Sequence, residues 1–243
     1  MSNLVPMESR NENKKIKIQD IKLKAKGITK NHNRLIESFL KNKNLIITGC
    51  AGTGKTFMSL NLSLQQILDT SVYDQVMIVR SIVPVRDIGF MKGNKNEKCE
   101  EYEAPYINIC CETFDCSKII YERLKKKEYL DFQPTSFNQG ITFKNKIVIV
   151  DESQNLNYNE LFNIITRIGQ DSKIIFTGDY KKQDMLNKKS NDKSGFRQFI
   201  EVIKSSDDLM EEFDIIDMKE EDIVRSDLVK KFIIADHNFD FNN

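Results

Sequence analysis

The chain has 243 residues, and 37 Lys and Arg against 36 Asp and Glu give it a formal net charge of +1 with 40% hydrophobic and 30% charged positions. That balance excludes global disorder, and ten glycines exclude a collagen-like repeat. At this length one core can bury roughly 70–75% of the surface that the unfolded chain exposes.

No apolar run approaches the ~20 residues that span a bilayer, and the polar start MSNLVPMESRNENKK lacks the apolar stretch of a secretory leader. The sequence therefore predicts a soluble protein with no membrane partner, placed in the cytoplasm, or in the host cytoplasm if the chain is viral. Cys50, Cys99, Cys110, Cys111 and Cys116 form no CxxC pair, and His32 and His237 stand far from the cysteines, so free thiols are expected rather than a metal-thiolate centre. Charge is uneven along the chain. Residues 1–48 carry 11 basic against 4 acidic side chains, and residues 199–243 carry 5 against 13. Such ends are either solvated surface or a means of meeting phosphates or another copy.

In chain order, residues 1–28 are polar and Lys-rich and are expected to form a loosely ordered arm, followed by one domain over 29–243. Leu35, Ile36, Phe39 and Leu40 recur at helical spacing and lead into a buried strand, Leu45–Thr48. A glycine-rich turn follows, and then an unbroken apolar-rich stretch, Lys55–Leu68, which suits a helix buried on most sides. Val76–Val79, Ile147–Val150 and Lys173–Phe176 read as three further buried strands. Strands alternating with helical segments imply an α/β fold, a parallel sheet with helices on both faces. Between the second and third strands lies a polar insertion, Ser81 to Lys146, whose best helix candidate is Cys110–Lys127. A later helix carries the stripe Leu161, Ile164, Ile165 and Ile168, with Asn157 and Glu160 as a capping pair.

The chemistry begins at the turn. Gly49-Cys50-Ala51-Gly52-Thr53-Gly54-Lys55-Thr56 is a complete G-x-x-x-x-G-K-T, a match that arises by chance in on the order of one per cent of chains this long. Its glycines let backbone N–H groups converge on anionic oxygens, and the helix N-terminus adds positive potential. Lys55 would neutralise the terminal phosphates, and Thr56 would give its hydroxyl to Mg²⁺. The strand ending at Val150 delivers Asp151 and Glu152 to the edge where open α/β sheets bind ligands. Asp151 suits metal support, and Glu152 suits the base that polarises water. After the next strand, Thr177, Asp179 and Gln183 are either γ-phosphate contacts or a polar turn. Arg167 and Arg225 are each either a surface charge or an arginine finger. Arg225 is preferred because it lies outside the nucleotide half and could reach a neighbour's site.

Taken in order, GCAGTGKT, VRSIVPVRDIGFMKG, IVIVDESQN, TRIGQDSKIIFTGDYKKQD, SGFRQFIEVI and EDIVRSDLVKKFI resemble the PhoH-like family from about Thr29 to Ile234. The resemblance implies a P-loop ATPase similar to the first RecA-like lobe of superfamily 1 helicases, using ATP and Mg²⁺. It also implies a strand Lys173–Phe176 lying between the phosphate-loop strand and the Asp151 strand. Thr177, Asp179 and Gln183 would then face the γ-phosphate, and Arg80, Arg167 and Arg225 match family arginines. This sequence departs from the family at Asn31-His32, where an Asn-Gln pair is read as an adenine contact. It departs again at Arg80-Ser81, in place of Arg-Pro, and at Gln139-Gly140-Ile141-Thr142, in place of Arg-Gly-Arg-Thr. The expected function is ATP hydrolysis by a homo-oligomer, a hexameric ring by the same resemblance, with an RNA role suggested by the family and the Lys-rich stretches 14–30 and 181–193. A phosphotransferase and a nucleotide-dependent scaffold are the alternatives.

Overall fold

The computed structural model describes residues 29–81, 95–114, 119–135, 140, 142–179 and 195–238, without the side chains of 95–100 and 237–238. The expected arm over 1–28 lies outside the described residues. Six strands form one parallel sheet: β1 (Asn44–Gly49), β2 (Gln75–Arg80), β3 (Leu130–Pro134), β4 (Lys146–Asp151), β5 (Lys173–Gly178) and β6 (Phe213–Met218). Their spatial order is β3-β2-β4-β5-β1-β6. All paired strands run parallel, so β1, β4 and β5 bring Gly49, Asp151 and Gly178 to one edge. As the resemblance implied, β5 lies between the glycine-rich strand and the Asp151 strand.

Alternation along the strands divides the core in two. Leu45, Ile47, Val76, Ile78, Ile147, Ile149 and Ile175 pack under α1 (Lys30–Leu40), α2 (Lys55–Asp69), α3 (Lys95–Phe114) and α4 (Ile119–Lys126). Ile46, Val79, Val148, Val150, Ile174 and Phe176 pack under α5 (Tyr158–Ile165) and α6 (Gly195–Lys204). Both faces are thus covered, which is why the central strands read as continuous apolar runs. A short α7 (Asp207–Glu212) and α8 (Asp227–Asn238) complete the described helices.

Local signals account for several boundaries. Asn157 and Glu160 cap α5 reciprocally, with bonds of 3.0 and 2.9 Å, as the sequence predicts. The expected helix Cys110–Lys127 is instead two helices, α3 and α4. The insertion also supplies an edge strand, β3, which the sequence reading does not contain. Its Leu130-Asp131-Phe132-Gln133-Pro134 alternates in burial, and Pro134 is tolerable only at an edge. β6 was missed for the same reason, because Asp214 and Asp217 interrupt its apolar residues. After Arg225 the chain forms α8, whose Leu228, Val229 and Phe232 face outward, with Leu228 78% and Phe232 71% exposed.

Gly49 is forced by a close approach. Its φ is +133°, and a methyl group there would stand 2.4 Å from the Met218 carbonyl oxygen on β6. Gly140, at φ +86°, has nothing within 4 Å. Gly49→Ala is therefore expected to cost more than about 3 kcal/mol of stability and Gly140→Ala about 1 kcal/mol, read from urea midpoints; equal costs would contradict the packing argument.

Lys173, at the opposite edge, is 1% exposed. Its ammonium donates to the Phe39 carbonyl at 2.8 Å and lies 4.0 Å from the Phe39 ring centre. Burial pushes it down from 10.5 to about 8. Between those values the unfolded chain holds more protons than the folded one, so this group adds stability as pH rises from about 8 to 10.5. Over that span the wild type is expected to gain on the order of 2 kcal/mol relative to Lys173→Met; parallel pH profiles would refute the linkage.

Candidate functional site

The loop after β1 is shaped by left-handed glycines, Gly52 and Gly54 each at φ +79°, and Gly54 opens α2. Inside it, the Thr53 hydroxyl donates to the Cys50 carbonyl at 3.0 Å. Two outside groups hold the loop. The Thr29 N–H donates to Nδ1 of His32 at 3.2 Å, which leaves the ring proton on Nε2, 2.9 Å from the Thr53 carbonyl. From the other side the Val224 N–H donates to the Gly52 carbonyl at 3.0 Å. The loop is therefore preformed, with its carbonyls tied back. That is what a cradle of N–H groups for phosphate oxygens requires.

The Lys55 ammonium donates to the Gly49 and Cys50 carbonyls at 2.6 and 2.8 Å. Burial lowers its pKa, while Asp179, Glu152, Cys50 and Asp151 pull the other way. Burial also pushes the Cys50 thiol up, with Lys55 opposing, so the thiol stays protonated.

Across from the loop, Asp151 is 3% exposed at the end of β4. Its Oδ1 accepts the Thr56 hydroxyl at 2.8 Å and the Thr177 hydroxyl at 2.5 Å, and its Oδ2 accepts the Tyr106 hydroxyl at 2.8 Å. Burial, reinforced by the Asp151 carboxylate, raises the Tyr106 phenol well above its ordinary value, with Arg80 opposing, so it remains a donor. Burial works against the Arg80 charge, but Tyr106, Asp151 and Glu152 hold its pKa above the ordinary value. Glu152 has φ +53° and ψ +43°, a left-handed conformation unusual for a non-glycine residue. The Gln154 amide donates to the Glu152 carboxylate and accepts the Asp179 N–H at 3.0 Å, tying the ends of β4 and β5 together.

The residue set fits a hard divalent cation. Thr56 and Asp151 already share a hydrogen bond, and hydroxyl and carboxylate oxygens beside a phosphate loop suit Mg²⁺, which takes few protein ligands when phosphates supply the rest. Among the described residues no group of three or more His, Cys, Asp or Glu could hold a metal without such a partner.

Gly49 to Thr56, Asp151, Glu152, Thr177 and Asp179 thus come together. Thr177 donates its hydroxyl to Asp151. Two expectations need correction. Arg225 does not lie outside the nucleotide half, because a methyl group at Gly52 would stand 3.0 Å from its Cγ in the same chain. Arg167 lies at the far edge of the sheet. Its carbonyl accepts the Phe143 N–H at 2.8 Å, just before β4, a strand length of about 17 Å or more from Asp151. Gln183 lies outside the described residues.

Sequence reasoning missed Tyr106, Gln154 and the role of His32. Gln154 stands two residues beyond Glu152, where the motif could have drawn attention to it. Tyr106 has no such signal. Asn31 and His32 are both engaged internally: Asn31 donates to Asp222 at 2.7 Å, and His32 holds the loop. Burial would raise the Asp222 carboxyl, but hydrogen bonds from Asn31, the Lys219 N–H and Thr29 hold it below its ordinary value.

Residues 24–236 match the PhoH-like protein family. The chain is 30% identical to Protein PhoH2 of Bacillus subtilis over 161 residues, 61% of this chain and 35% of that protein. It is 29% identical to a PhoH-like protein of Synechocystis over 201 residues, 82% of this chain and 58% of that one. It is 28% identical to Protein PhoH of Escherichia coli over 148 residues, covering 60% and 42%. The chain therefore spans between about a third and three fifths of the length of these relatives. Among solved structures it is similar to the DUF1998 helicase MrfA bound to DNA, with TM-score 0.42 and 11% identity over 79% of this chain and 27% of that one. It is also similar to the Pif1 helicase from Candida albicans, with TM-score 0.36 and 14% identity over 79% and 40%. With most of its length matched, its phosphate loop complete and its acidic pair at the adjoining strand edge, the chain is of P-loop NTPase type and belongs to the PhoH-like family.

Proposed function

We propose that the protein hydrolyses ATP. The observation that carries this reading is the 2.8 Å bond between Thr56 and Asp151, which joins the phosphate loop to the acidic strand end across 95 positions of sequence. The triphosphate lies on the N–H groups of Gly49 to Thr56, and Lys55 turns from the loop carbonyls to the terminal phosphates. Thr56 and Asp151 would hold Mg²⁺, which would neutralise charge on the phosphoryl group and the leaving diphosphate. Glu152, held by Gln154, takes the proton of the attacking water. Asp179 and Gln183 report on the γ-phosphate. Arg225, exposed with its stem against Gly52, stabilises phosphate charge at the loop of its own chain.

Assembly into a homo-oligomer is supported by the outward apolar stripe of α8, Leu228, Val229 and Phe232, adjoining Arg225. An RNA partner is supported by the Lys-rich stretches and by family membership.

Phosphate release from ATP is expected to fall at least a hundredfold in Lys55→Ala and Glu152→Gln, with Glu152→Gln still binding nucleotide. Phosphate appearing on an acceptor would indicate a phosphotransferase, and tight binding without turnover a scaffold; either result sinks hydrolysis. Mixing Arg225→Ala with Lys55→Ala protomers is expected to restore no activity. Recovery in the mixture would assign the arginine to a neighbour's site.

A further inference from the structure

Among the described residues, the insertion between β2 and β4 brings a polar group to the acidic side of the site. Tyr106, on α3, is 1% exposed, and its hydroxyl is the donor to Oδ2 of Asp151. Thr56 and Thr177 both donate to Oδ1. The two carboxylate oxygens are thereby held from opposite sides, which stops the group from turning about its terminal torsion. Passing the Thr56 hydroxyl to a cation removes a bond from Oδ1 alone, while the Tyr106 bond to Oδ2 persists.

Tyr106 is itself fixed. Its ring centre lies 5.8 Å from that of Phe132 on β3, and the Arg80 charge at the end of β2 acts on its phenol. Two elements of the insertion, α3 and β3, therefore meet at one side chain. Elsewhere on the insertion, Tyr121 and Lys125 bond Glu103 between α3 and α4, and Thr113 of α3 accepts from Asn61 of α2 at 3.1 Å.

We propose that Tyr106 is a positioning residue that orients Asp151 for the divalent cation, so that the insertion forms part of the outer shell of the metal site. The inference rests on the Mg-nucleotide reading above. Outer groups that orient a ligating carboxylate change metal affinity about 10–100-fold when removed. They do so without touching the metal.

The test is Tyr106→Phe, which keeps the ring and loses the donor, with Mn²⁺ as a paramagnetic substitute and a non-hydrolysable ATP analogue present. Bound Mn²⁺ is counted by electron paramagnetic resonance. The wild type is expected to bind Mn²⁺ about 10–100-fold more tightly than Tyr106→Phe, while the analogue alone, without cation, binds both equally. Phe132→Leu, which disturbs the ring contact and leaves the hydroxyl, is expected to keep near wild-type Mn²⁺ affinity. Equal Mn²⁺ affinity in wild type and Tyr106→Phe would overturn the positioning role and leave the ATPase reading standing. Loss of affinity in Phe132→Leu equal to that in Tyr106→Phe would reduce Tyr106 to a packing residue. If the wild type holds no Mn²⁺ beside the analogue, the nucleotide reading falls and takes this inference with it.

Discussion

A carboxylate removed from water costs several kcal/mol unless donors replace its hydration, and Asp151 is only 3% exposed. Its replacement shell consists of three hydroxyls from three elements: Thr56 of α2, Thr177 of β5 and Tyr106 of α3. Each of those positions is distant in sequence. The carboxylate therefore acts as a joint between the phosphate loop, the neighbouring strand and the insertion, and the packing of all three must be correct for its burial to be tolerated. Because the donors are neutral, the negative charge remains available to a cation.

The phosphate loop is held by a complementary set of bonds on its carbonyl side. His32 reaches the Thr53 carbonyl from α1, and Val224 reaches the Gly52 carbonyl from the segment before α8. Asp222 links these two supports, since it accepts from Thr29 and Asn31 at the start of α1 and from the Lys219 N–H. With its carbonyls engaged behind it, the loop need not reorganise to present N–H groups. A preorganised dipole array of this kind stabilises developing charge more effectively than solvent does.

The edge positions of the sheet explain the shape of the rest. β4, β5 and β1 are central and doubly covered, so their carboxyl ends are rigid and close together. β3, outside β2, and β6, beside β1, form the two edges and are half-exposed. β6 nevertheless presses its Met218 carbonyl against Gly49, so even an edge strand determines which residue can begin the loop.

The reach of sequence reasoning follows the range of the interactions involved. The glycine pattern, the central strands, the α5 capping box and the Asp151-Glu152 pair were legible because each depends on neighbours within a few residues: turn conformations, unbroken burial, and i to i+3 hydrogen bonds. Tyr106 was not legible, because nothing local distinguishes it in a polar insertion, and the two edge strands were hidden by alternation with acidic residues. Arg167 and Arg225 were both isolated cations, and the preference for Arg225 rested only on its place late in the chain. By itself the sequence determined that a phosphate loop and an acidic strand end exist. Only the tertiary structure decided that Arg225 adjoins the loop while Arg167 sits across the sheet, and that His32 and Tyr106 brace the two halves of the site, because contacts between residues tens of positions apart depend on strand order and helix docking that no local pattern records.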